Sequence, residues 1–158
     1  MSYRILIDKA ARVLRLFDGD RLDRAYSVAL GRNSAADKAV EGDEATPVGE
    51  FYVCAKNPRS RFFLSLCLSY PNAEDAARGL AAGLISADEH SQILRALREK
   101  KVPPQHTPLG GEIYIHGQPP HPQAAAPKDW TRGCIALDNE AMQELYERID
   151  LGTPVRIV

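Results

Sequence analysis

The feature that most constrains the fold is a change of hydrophobic period at Pro71-Asn72, reversed at Pro103-Pro104. Before the change the chain is a series of short apolar runs bounded by charge and turn signals, which is the pattern of strands. Arg4-Ile5-Leu6-Ile7-Asp8 and Arg12-Val13-Leu14-Arg15-Leu16-Phe17 are two such runs, and Asp18-Gly19-Asp20 turns the chain into a third at Ala25 to Gly31. Arg32 to Glu44 is polar and reads as a loop. Thr46-Pro47-Val48-Gly49-Glu50 is a tight turn, with Pro fixing φ and Gly relaxing it, that feeds a strand from Phe51 to Ala55. Phe62 to Tyr70 supplies the next strand.

Between the two proline sites the period is helical. Asn72 caps Ala73 to Leu80, with Glu74 and Asp75 in the first turn, and Ser86-Ala87-Asp88-Glu89 has the spacing of a capping box. It opens a second helix from Ala87 to about Lys100, with Ile93, Leu94 and Leu97 on one face. Strand character returns at Glu112-Ile113-Tyr114-Ile115-His116. An amphipathic helix follows from Asn139 to Ile149, and Gly152-Thr153-Pro154 turns into a terminal strand, Val155 to Val158. These elements predict a mainly β domain, sandwich- or barrel-like, spanning 1–158 as one unit. A helical hairpin is inserted at about 71–104 and one helix lies near the C-terminus.

At 158 residues the chain has the length for one real core, and 44% hydrophobic with 26% charged residues suits a globular protein. A net charge of -1 argues against a nucleic-acid partner. No apolar run reaches the roughly 18 residues of a membrane span. The charges in Met1 to Asp8 make the N-terminus a strand rather than a signal peptide. Location is therefore periplasmic or cell-envelope if an export signal has been removed, and otherwise open, including the cytoplasm.

The three cysteines are neither a disulfide framework nor a zinc pattern. Cys54 and Cys67 sit inside strand-like runs and read as buried, inert thiols. Cys134, after Thr131-Arg132-Gly133, reads as a thiol at the edge of a core. Of the four histidines, His90 lies among polar helix residues, and His106 follows two prolines. His121 is in the Pro-rich stretch Gln118 to Pro122. His116 ends an apolar strand, and Gly117 beside it permits an unusual backbone turn at the imidazole. An imidazole and a thiol on two short apolar pieces form a candidate nucleophilic pair, in which the thiolate attacks and the imidazole moves the proton.

Strand–His–Gly, then Thr131-Arg132-Gly133-Cys134-Ile135 with a helix close behind, resembles the L,D-transpeptidase catalytic domain, the YkuD-type family. Thr46-Pro47-Val48-Gly49-Glu50-Phe51 resembles a second element of that family, and the two together extend the resemblance over most of the chain. The resemblance implies acyl transfer on peptidoglycan peptide stems through a thioester on Cys134. The scissile bond would follow an L-centre, such as the diaminopimelate side of a terminal D-Ala. His116 would carry the proton and the Gly117 carbonyl would hold the imidazole. The N–H groups of Gly133 and Cys134 would form the oxyanion hole, with Gly133 small so as not to crowd the acyl group. Thr131, Arg132 and Tyr114 would face the substrate. Neither metal nor other cofactor is implied.

Two positions depart from the family pattern. Arg132 stands where many members have His, as a cation that either lowers the thiol pKa or binds a substrate carboxylate. Ala136 stands where many have Arg. Gly-Cys-Ile-Ala-Leu-x-Asn, with Tyr70-Pro71-Asn72 upstream, is similar to the YafK-type branch. Some of its members are reported as hydrolases that release peptidoglycan-linked protein, so a hydrolase of the same bond, L,D-carboxypeptidase included, is the alternative. A papain-like order is excluded because the histidine here precedes the cysteine. A metal site from His106, His116, His121 and Cys134 matches no common zinc spacing. A non-catalytic module that binds wall peptide would need neither His116 nor a free Cys134.

Overall fold

A computed structural model describes residues 2–120 and 128–158. Eight strands are ordered β3-β2-β1-β8-β4-β5-β6-β7 in one sheet. They are β1 (Tyr3–Asp8), β2 (Val13–Asp18), β3 (Arg21–Ser27), β4 (Gly49–Ser60), β5 (Phe63–Leu68), β6 (Tyr114–His116), β7 (Ile135–Ala136) and β8 (Pro154–Ile157). Pairing is antiparallel except for β1 with β8 and β6 with β7. At one end of the sheet, Ala136 of β7 bridges Ala29, which lies just beyond β3 at the other end. The sheet therefore curls until its ends meet, which makes the domain mainly β and barrel-like.

Alternation decides which face is inside. Ile5, Ile7, Leu14, Leu16, Phe51, Val53, Val155 and Ile157 are buried together, while Arg4, Arg15, Glu50 and Arg156 face away from that core. Helix α3 (Asn139–Arg148) lays Met142 and Leu145 on the same core, each fully buried. Burial of that kind stabilises by roughly 1.5–3 kcal/mol per side chain. Asp138 caps its start through the Ala141 N–H at 2.8 Å. At its end the Lys56 ammonium donates to the Tyr146 and Ile149 carbonyls at 2.8 and 2.7 Å, satisfying groups the helix leaves open.

Helices α1 (Ala73–Ala81) and α2 (Ala87–Arg98) lie between β5 and β6 in the chain, and both carry full capping boxes, on Asn72 and Ser86. They bury a small cluster of their own, Ala76, Ile85, Ile93 and Leu109, with Leu97 against it. Gly79 leaves room there for Leu109, whose Cδ2 would lie 2.6 Å from a Cβ and would have to shift. The Tyr70 hydroxyl donates to the Leu109 carbonyl at 2.7 Å, tying this cluster to the main core.

Three strands depart most from the sequence reading. The third strand is Arg21–Ser27, not Ala25 to Gly31. Gly19, at φ +60°, makes the turn so tight that Asp18 already pairs with Arg21. The chain leaves β3 at Val28 to reach β7 instead. Strand β4 runs to Ser60 through polar residues, because Asn57 pairs with Ser65 and Ser60 with Phe63 in a close hairpin. Strand β7, two residues long, carries too little pattern to be read.

Candidate active site

Ile115 and Ile135, both fully buried, fix the parallel register of β6 and β7, with Ile115 beside Ile135 and His116 beside Ala136. One step back along each strand, Tyr114 lies beside Cys134. Alternation sends the side chain of His116 to the same face as that of Tyr114, opposite Ile115, while Cys134, one residue before β7, sets its Sγ against the Tyr114 N–H. His116 and Cys134 thus stand on neighbouring segments, the end of β6 and the turn that leads into β7.

His116 is 2% exposed. Its ring stacks on Phe62 at 4.4 Å between centroids and meets Trp130 edge-on at 5.9 Å. Its Nδ1 lies 2.7 Å from the Gly117 carbonyl oxygen. A carbonyl only accepts, so Nδ1 carries the hydrogen and Nε2 is the basic nitrogen. Burial pulls the imidazole pKa below its usual value, and the Gly117 carbonyl pulls weakly the other way. The ring is therefore a neutral base at pH 7. Gly117 serves by size and not by a turn: a Cβ would lie 2.5 Å from Asn139 Oδ1 and 2.9 Å from the Phe62 carbonyl.

The Cys134 thiol donates to the Glu112 carbonyl at 3.3 Å and accepts from the Tyr114 N–H at 3.4 Å. None of its hydrogen bonds reaches His116. Burial pushes the thiol up to about 11, against the pull of the Tyr114 N–H and the Lys38 charge. The resting form is thus imidazole and thiol, not an ion pair. Arg132 has no part in this balance. It is exposed, and its guanidinium has no hydrogen bond or ion pair among the described residues.

Thr131 is 4% exposed, and its hydroxyl is engaged inside the turn, donating to the Cys134 carbonyl at 2.7 Å and accepting from the Gly133 N–H at 3.1 Å. Gly133 has φ +135°, and a Cβ there would lie 2.7 Å from the Ala45 carbonyl oxygen. Crowding within the chain itself already requires glycine here. Tyr114 is half-buried, and burial pushes its hydroxyl up to about 12.

Two aromatic residues at the site went unread in the sequence. Phe62 looked like an ordinary strand residue. Trp130 carried a signal, since it is the sole tryptophan and directly precedes Thr131. Asp129 before it accepts from Arg12 Nη2 at 2.6 Å, Ser34 Oγ at 3.0 Å and the Leu30 N–H at 3.4 Å, fastening the loop to the far side of the sheet. His106 is exposed in the loop before β6 and His90 is half-buried on α2, while His121 lies outside the described residues. No cluster of three or more metal-binding side chains, and no helix long and apolar enough to cross a membrane, occurs among the described residues. A cavity of about 510 Å³ lies between β1, β4, β8 and the two helices, and neither His116 nor Cys134 lines it.

The model of the YkuD family, L,D-transpeptidase catalytic domain, matches residues 2–157. The chain belongs to this family. A comparison with curated protein sequences gives no match. Among solved structures, the helical cell shape determining protein Pgp2 from Campylobacter jejuni is similar at a TM-score of 0.67 and 26% identity, over 99% of this chain and 47% of that one. Bd1075 from Bdellovibrio bacteriovorus follows at 0.59 and 23%, over 99% and 47%. An L,D-transpeptidase from Mycobacterium smegmatis shares the fold at 0.57 and 15%, over 99% and 58%. The chain thus spans about half the length of these proteins. In this chain His116 ends strand β6 with Gly117 directly after it, and Gly133-Cys134 lie in the turn before β7.

Proposed function

We propose that the domain transfers the acyl group of a peptidoglycan peptide stem through a thioester on Cys134. The observation that carries this reading is the His116 Nδ1–Gly117 carbonyl contact of 2.7 Å, which aims Nε2 as a neutral base from the strand beside the cysteine. In this reading Nε2 takes the thiol proton as sulfur attacks the carbonyl carbon, and returns it to the leaving amine as the tetrahedral intermediate collapses. An acceptor amine or water then resolves the thioester, with His116 again the base. The Cys134 N–H is the oxyanion donor, because the Gly133 N–H is engaged by Thr131. Thr131 shapes the turn and does not contact substrate. Arg132, exposed and unpaired, takes a stem carboxylate, and Tyr114 lines the substrate face.

Water as the acceptor is the second reading. Ala136, where many members carry Arg, is 2% exposed and bridged to Ala29, so no cation projects there to hold a second stem. Setting for the reaction is the cell envelope, where the stems are.

Incubation of the chain and its Cys134→Ala and His116→Ala variants with purified muropeptides, read by mass spectrometry, tests both readings. Loss of one terminal residue assigns water as acceptor, and a stem dimer assigns an amine. Turnover by Cys134→Ala equal to the parent's would overturn the thioester mechanism.

A further inference from the structure

Two cysteines outside the Cys–His pair meet on adjacent strands. In the β4–β5 ladder Val53 is opposite Leu68 and Ala55 is opposite Cys67, so Cys54 is the extra residue of a β-bulge. A bulge re-aims its side chain. Here it turns Cys54 towards Cys67: Cys54 Sγ donates to the Cys67 carbonyl oxygen at 3.4 Å, close enough for the two thiols to influence each other. Both are free thiols, Cys67 buried and Cys54 half-exposed. Across a bulge two residues, here Cys54 and Ala55, oppose one, here Cys67, at cross-strand range, near the roughly 3.5–4.5 Å between Cβ atoms that a disulfide spans. The same contact lowers the pKa of Cys54 and, with burial, raises that of Cys67, giving the two thiols unequal roles.

We propose that Cys54 and Cys67 form a redox-active dithiol that closes to an intramolecular disulfide by exchange with a disulfide oxidant, a modification site separate from Cys134. The Cys54 thiolate, the more accessible of the two, attacks one sulfur of the oxidant and displaces one thiolate, leaving a mixed disulfide. The Cys67 thiol gives its proton to a departing thiolate, and its sulfur attacks the Cys54 sulfur, displacing the second. Two protein thiols lose two electrons, and one external disulfide becomes two thiols. Burial of Cys67 sets the order, since a buried thiol meets the Cys54 sulfur and not the reagent.

The pairing bears on the site without depending on its function. Cys67 is the cross-strand partner of Tyr114, whose N–H donates to Cys134 Sγ. Cys67 and Cys134 thus adjoin one residue, and closure of Cys54 with Cys67 removes Cys67 from competition for Cys134.

The reduced chain and its Cys134→Ser variant, each exposed to oxidised glutathione, then alkylated, digested and mass-mapped, test the proposal. The expected result in both is a loss of two hydrogens and a link between the peptides bearing Cys54 and Cys67. Dithiothreitol reverses it, and the melting temperature of the oxidised form is higher on the order of 5–10 °C. Cys54→Ser abolishes the link, and if that variant fails to fold, the map of the Cys134→Ser protein still decides. A Cys67–Cys134 link, an unresolved glutathione adduct, or thiols that stay free in the folded protein would overturn it.

Discussion

At the residue scale, the proposed mechanism makes the rate's response to pH depend on the protonation states of His116 and Cys134. Burial holds His116 below the ordinary imidazole value of about 6.5 and pushes Cys134 up to about 11, so both are neutral at pH 7. Catalysis by that form requires unprotonated imidazole, and kcat/KM falls only as pH drops below 6.5. It stays level from pH 7 to 9. A resting thiolate–imidazolium pair would instead lose activity as the imidazolium deprotonates, so a decline between pH 7 and 9 refutes the neutral pair. Stability shifts in the same direction. The folded protein binds fewer protons at His116 than the unfolded chain does, so this contribution is full above pH 6.5 and is lost as pH falls through the depressed folded value. Gly133 gives a second test. Gly133→Ala meets both an unfavourable φ and the Ala45 carbonyl, which is backbone and cannot step aside. Denaturant unfolding should show a loss of about 2–3 kcal/mol, with activity falling alongside because the turn carries Cys134.

At the scale of elements, the segment from Asp129 to Ile135 is what the strands alone do not hold. Asp129 accepts hydrogen bonds from Arg12, Ser34 and the Leu30 N–H, and Trp130 beside it meets the edge of His116. Asp129→Ala frees this segment, and kcat should fall on the order of 10- to 100-fold through misplacement of the reacting groups. Circular dichroism should stay unchanged, and Asp129→Asn, which keeps one acceptor oxygen, should recover part of the rate. None of this was legible in the sequence, where Asp129 is one acid among many and its partners are remote. The strands and helices were legible because Ile5, Ile7, Leu14 and Leu16 repeat in twos while Ile93 and Leu97 repeat in fours. His116 and Cys134 were legible because a glycine flanks each. The reasons for those glycines were not, since Asn139 and Ala45, which crowd them, come close only in the folded chain. Thr131 misled for the same reason: a hydroxyl beside a nucleophile suggests substrate, and only the fold reveals that it bonds inward.

At the scale of the molecule, the chain has two apolar clusters of unequal size, and they need not open together. The larger joins the curled sheet to α3, and its strands are tied at both ends by the Ala29–Ala136 bridge. The smaller, Ala76, Ile85, Ile93 and Leu109, belongs to α1, α2 and the loop that follows. Its links to the rest include the Tyr70 hydroxyl on Leu109, the Tyr52 hydroxyl on the Lys101 carbonyl and the Gln105 side chain on the Tyr70 carbonyl. Such bonds each contribute about 1 kcal/mol, less than a buried aliphatic side chain. Ile93 is fully buried, and Ile93→Ala should cost about 2–4 kcal/mol. That loss falls on the small cluster, so local opening becomes cheaper than global unfolding. Native-state hydrogen exchange should then speed up for amides of α1 and α2 while those of β1 and β8 keep their protection. Equal acceleration in β1 would mean that the two clusters unfold as one unit. In that case the helices are structural members of the barrel, and changes among them should reach His116 through β5 and β6.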